Sequence, residues 1–91
     1  MKLIGGKWKR AIILILHSKP ERFNKIKQLL DGISGNVLTT NLRELERDGI
    51  VYKVHHGVPK YTLTESGYKI GAYLILINEI LEALATLPPI L

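Results

Sequence analysis

Asn36, Thr40, Arg43 and Arg47 recur at intervals of four, three and four residues. On a helix turning about 100° per residue they share one face. Amides, hydroxyls and guanidinium groups are what a helix lying in a DNA major groove uses to read base edges and grip phosphates. The first two turns of such a helix would also carry Val37 and Thr39, with Ser34 at its start. Asn36, Val37, Thr39 and Thr40 are therefore expected to face bases. Arg43, and more weakly Arg47, is expected to meet phosphate. A second cationic group, Lys53, His55, His56 and Lys60, surrounds the tip of a predicted hairpin. Such a tip can reach the backbone or the adjacent minor groove, and protonation of its imidazoles would add positive charge. The plain alternative for the first set is an amphipathic helix with a solvated polar face.

Other chemistry finds little support, and neither catalytic residues, metal nor cofactor is expected. His55 and His56 are adjacent on an extended segment, so their side chains diverge. His17 falls at a helix end, where its charge suits the dipole. No Ser-His-Asp set or carboxylate pair can be assigned, and Gly5-Gly6 is too short to cradle phosphate. With no cysteine in 91 residues, disulfides and thiolate zinc sites are excluded. Trp8 and the tyrosines read as core or interface residues. No convergent polar group marks a pocket for an effector.

These residues need a scaffold. Ser34 can cap a helix, and Gly49 after Asp48 can end one in the left-handed conformation. Between them Leu38, Leu42 and Leu45 make one apolar stripe, giving a reader helix over about 34–48. Before it, Lys7–His17 reads as a helix apolar on several sides. Ser18-Lys19-Pro20 ends it, and 21–23 leaves room for an edge strand only. Lys25–Leu30 reads as a second helix capped by Asn24, with Ile26, Leu29 and Leu30 inward. A turn at Asp31-Gly32-Ile33 makes the pair a helix-turn-helix. After Gly49 the period becomes alternating. Ile50, Tyr52 and Val54 take one face, while Val51, Lys53 and His55 take the other. The hairpin covers about 50–63 and turns at His56-Gly57, with Pro59 on an open edge or near the tip. Thr64 caps a last helix over about 65–87, stopped by Pro88-Pro89. The expected fold is α+β, mostly α: one winged helix-turn-helix domain over 1–91 with a long C-terminal dimerisation helix.

Charge supports a polyanionic partner. Of a formal +5, residues 1–64 carry twelve Lys/Arg against five Asp/Glu, near +7, and the remainder one against three, near −2. A basic working face and a neutral apolar end follow. Hydrophobic residues are 46% and charged residues 23%, a globular composition. The apolar runs are too short or too interrupted for a signal peptide or a membrane span. A cytoplasmic protein without membrane association is expected.

In order and spacing, GGKWKRAIILIL, RFNKIKQLLDGISGNVLTTNLRELERDGIV and YTLTESG resemble the HxlR-type transcriptional regulators, relatives of the MarR and PadR families. The resemblance covers about residues 4–70. It implies a dimeric DNA-binding regulator whose reader helix begins at Ser34 and whose wing runs from Tyr52 to Tyr61. Family members often carry a cysteine on an arm before GGKW, used in some to sense oxidants. Without cysteine that mode of sensing is not expected.

The last helix adds its own signal. Ile70, Tyr73, Ile77, Ile80, Leu84 and Leu87 follow heptad spacing, with Leu74 and Leu81 in a second stripe. At ~1.5 Å per residue this helix is ~35 Å long, more apolar surface than so small a body can cover. One stripe is expected on the protomer and the other on a second copy, with Ile13 or Leu14 contributing. The leading function is therefore a homodimer that binds a pseudo-palindromic duplex site and regulates transcription. A DNA-packaging protein with little sequence preference and a protein-interaction module are the alternatives.

Overall fold

A computed structural model describes residues 6–88, so Gly5 and Pro89 lie outside the described residues. The elements run α1 (Lys7–Ser18), α2 (Phe23–Leu29), α3 (Gly35–Arg47), β1 (Val51–Val54), β2 (Lys60–Leu63) and α4 (Glu65–Ala85). It is a mostly helical winged helix-turn-helix with a long C-terminal helix.

The core is assembled from one face of each element. Ile12, Ile13 and Leu16 of α1 meet Ile26 of α2, the Leu38/Leu42/Leu45 stripe of α3, and Ile50, Val51, Tyr61 and Leu63 of the hairpin. The three leucines are at most 1% exposed. Burying each contributes about 1.5–3 kcal/mol relative to exposure, which holds α3 with its polar side outward. Ile13 is fully buried here. The expectation that it serves a partner is therefore corrected: it packs inside its own protomer.

Both ends of α3 are capped. Ser34 Oγ accepts the Val37 N–H at 3.1 Å. At the other end Gly49 takes φ +73, its N–H donates to Glu46 O, and the Ile50 N–H donates to Leu45 O at 2.9 Å. This is a Schellman closure, and it requires the left-handed glycine. It also explains why strand alternation fails at its first residue. Ile50 belongs to the helix cap, so Ile50 and Val51 are both buried.

The second helix departs from expectation. It starts at Phe23 with Arg22 in the capping position and no side-chain cap, so Asn24 lies inside the helix. The cause is the chain before it. Glu21 forms an isolated bridge to Tyr61, exchanging N–H···O bonds of 3.1 and 2.8 Å, and the helix begins two residues later. Leu29 is 48% exposed rather than inward, while Ile26 and Leu30 are buried.

The hairpin pairs Val51 with Leu63, Tyr52 with Thr62, Lys53 with Tyr61 and Val54 with Lys60. Pro59 lies in the connecting loop near the tip. Thr64 then links three elements. Its hydroxyl accepts the Gly67 N–H at 3.1 Å, capping α4, and lies 2.6 Å from Gly49 O at the end of α3.

The fourth helix divides along its length rather than by stripe. Gly67 and Gly71 are buried, and Ile70 and Leu74 pack against the protomer core. The His17 ring meets Tyr68 edge-on at 5.7 Å, so His17 packs against α4 instead of merely ending α1. Beyond Leu74 the helix leaves the body. Leu76, Ile77, Ile80, Leu81, Leu84 and Leu87 are each 51–60% exposed. Ile70 and Leu74, expected at the partner contact, are thus largely occupied by their own protomer.

Candidate nucleic-acid interface

The buried leucines of α3 leave Asn36, Val37, Thr40, Arg43 and Arg47 exposed and Thr39 half-buried. Ser34 spends its hydroxyl on the cap. Asn36, Val37, Thr40 and Asn41 line a shallow depression of about 200 Å³ on this face. Sequence reasoning missed Asn41. Its side chain donates to Val37 O at 2.8 Å, one turn back, which the four-residue spacing could have suggested. That bond leaves its carbonyl as a remaining acceptor. Arg47 lies 3.5 Å from Asp48 Oδ1, an exposed pair too weak to lock it. Among the described residues no ion pair engages Arg43.

Behind this face Lys9 of α1 grips Glu44 of α3 at 2.7 Å. The Lys9 hydrogen bond and charge hold the Glu44 carboxyl below its ordinary value of 4.5. A carboxylate depressed in the folded state adds stability above its unfolded pKa, and the gain disappears as pH falls through the folded one. The Lys9→Gln variant should therefore melt slightly below the parent at neutral pH. The gap should close in strongly acidic buffer. Melting curves at both pH values test this, and a gap independent of pH would sink the assignment.

The wing divides its cations between two faces. His55, His56 and Lys60 are exposed around the 55–59 loop. Lys53 is half-buried, its ammonium 5.2 Å from the centroid of the Tyr61 ring, on the side facing α2. The structure therefore brings His56 and Lys60 together on one face of the wing, leaves His55 exposed in the loop beside them, and turns Lys53 to the other face. Cross-strand pairing explains it, since Lys53 stands opposite Tyr61 and Lys60 opposite Val54.

Among the described residues no three metal-capable side chains cluster, and no helix is long and apolar enough to cross a membrane. A capped helix with an exposed polar face, preceded by a short helix and a tight turn and followed by a basic hairpin, defines a winged helix-turn-helix protein. The HxlR-like helix-turn-helix family matches residues 3–86, and the chain belongs to that family. It is 37% identical over 83 residues to the HTH-type transcriptional regulator YybR of Bacillus subtilis (strain 168), covering 87% of this chain and 66% of YybR. It is 42% identical over 71 residues to YdeP of the same organism, another HTH-type transcriptional regulator, covering 74% of this chain and 56% of YdeP. The chain thus spans 56–66% of these relatives' length. A crystal structure of a MarR-family transcriptional regulator from Enterococcus faecalis V583 superimposes with a TM-score of 0.85 at 34% identity, covering 92% of this chain and 80% of that one.

Proposed function

We propose that this protein binds a specific double-stranded DNA site as a homodimer and regulates transcription, without enzymatic activity. On this reading the chain is one domain, with its reader at about 34–48, its wing at 50–63 and its dimerisation helix at 65–87. The observation that carries it is α3, whose leucines are locked in the core while Asn36, Thr40 and Arg43 stand free on the opposite side. The basic wing loop supports the same partner. Two copies related by a two-fold axis would read a pseudo-palindrome with half-sites ~34–36 Å apart, or a multiple of that.

Selection of bound sequences from a random duplex pool is the direct test, and a non-specific packaging protein would enrich none. On a selected site, Asn36→Ala should relax preference at one base pair by about 1–3 kcal/mol. Arg43→Ala should weaken all sequences alike and reduce the salt slope by roughly 1. If both variants bind as the parent does, this face is not the reader.

A further inference from the structure

Between α2 and the inner face of the wing lies a solvent-open cleft of about 540 Å³. Arg22 enters it just before α2, Lys25 and Gln28 enter it from α2, and Lys53 enters it from β1. Residues three apart on a helix are neighbours, so Lys25 and Gln28 share a face. Among the described residues none that lines the cleft is acidic, and no ion pair neutralises Arg22 or Lys25. Lys53 is held over the Tyr61 ring, which fixes where its charge stands. Three cations, one just before α2, one on α2 and one on β1, with Lys53 at least 28 residues from the other two in sequence, thus converge on one open groove. The loop residues Val58 and Pro59 also line it.

We propose that this cleft seats the sugar-phosphate backbone of one DNA strand, between the segment read by α3 and the segment touched by the wing tip. The proposal rests on the DNA-binding reading and adds Arg22, Lys25 and Lys53 to it as phosphate contacts. An open groove suits a continuous strand better than a small ligand, whose sites usually enclose most of its surface. Val58 and Pro59 line the cleft and belong to the same exposed loop as His55 and His56, so a strand at the tip would adjoin the cleft. Lys53 then acts in the cleft and not at the tip. Contacts of this kind neutralise phosphates and release counterions without reading bases.

The test is the salt dependence of binding to a duplex selected by the parent protein. The Arg22→Gln, Lys25→Gln double variant leaves the wing untouched, and adding Lys53→Gln gives the triple. Removing one phosphate-neutralising cation should lower the slope of log affinity against log salt by about 0.9. The slope should therefore fall by nearly 2 in the double and nearly 3 in the triple, with the ranking of base preferences unchanged. Lys69→Gln on α4 removes an exposed cation that does not line the cleft and should leave the slope alone. Melting temperatures near the parent's would show that the variants fold. A double variant with the parent's slope overturns the cleft while leaving α3 as reader. A parent without affinity for any duplex overturns the DNA-binding reading itself. Titration with inorganic phosphate, followed by NMR at the Arg22 and Lys25 side chains, separates a third case. Saturable binding that duplex DNA does not displace would assign the cleft to a free anion and overturn the proposal.

Discussion

Gly67→Ala should destabilise the protein by about 1–3 kcal/mol, the ordinary cost of overpacking. A β-carbon there would run into the carbonyl oxygen of Ile50 and lie 3.1 Å from two Leu63 side-chain atoms. The first obstacle is backbone, which cannot rotate away as a side-chain end can. Ile50 sits in the Schellman closure of α3, so relief requires α4 to move off the end of the reader helix. The Thr64 hydroxyl, 2.6 Å from Gly49 O, would be strained by the same movement. For a domain of this size each kcal/mol lowers the melting temperature by roughly 4–8 °C. Gly35→Ala is the matched control, because only Lys27 Cε, at 4.0 Å, approaches its β-carbon, and alanine generally favours a helix. Calorimetry of both variants decides the matter. Equal melting temperatures would mean that α4 does not rest on the cap of α3 as described.

The contrast between those two glycines shows what the sequence makes legible. The boundaries of α3 could be read because three independent signals agree: the Ser34 cap, the leucine stripe and the Gly49 stop. Thr64 at the start of α4 was legible because a capping residue stands where the alternation of the return strand ends. Where one signal stood alone, the outcome turned on a distant partner. Asn24 is a good capping residue, yet the bridge between Glu21 and Tyr61 sets where the extended segment ends, and a neighbour 40 residues away leaves no local trace. Apolar periodicity placed Ile13, Ile70 and Leu74 on apolar surfaces correctly. It could not say whose core would cover them. The face containing Asn36, Thr40 and Arg43 was legible because burial of one side of a helix dictates exposure of the other. Lys53 was not, because its direction depends on strand register and on the Tyr61 ring across the hairpin.

Replacing Ile77 or Leu81 with glutamate should give a folded protein that no longer pairs. Both residues are more than half exposed in the single chain, at 52% and 59%. A surface glutamate there disturbs nothing in the protomer, and such substitutions are usually worth less than about 0.5 kcal/mol in stability. The penalty would fall on assembly. Tyr73, Leu76, Ile77, Ile80, Leu81 and Leu84 lie on one strip about 140° wide at roughly 100° per residue. Asn78 and Glu82 hold the other side with a 3.3 Å hydrogen bond. Leu14 of α1, 40% exposed, is a further apolar residue that a second copy could cover. An exposed strip of this kind marks an interaction surface, and a charge buried there without a partner costs several kcal/mol. Light scattering should give the parent about twice the 10.3 kDa of the chain and at least one variant the single mass. With one half-site contacted instead of two, DNA affinity should fall by roughly 10²–10⁴-fold, while the melting temperature of the monomeric variant reports an intact domain. A parent that already scatters as 10.3 kDa at micromolar concentration sinks the dimer. The pseudo-palindrome goes with it, because a monomer imposes no two-fold symmetry on its site.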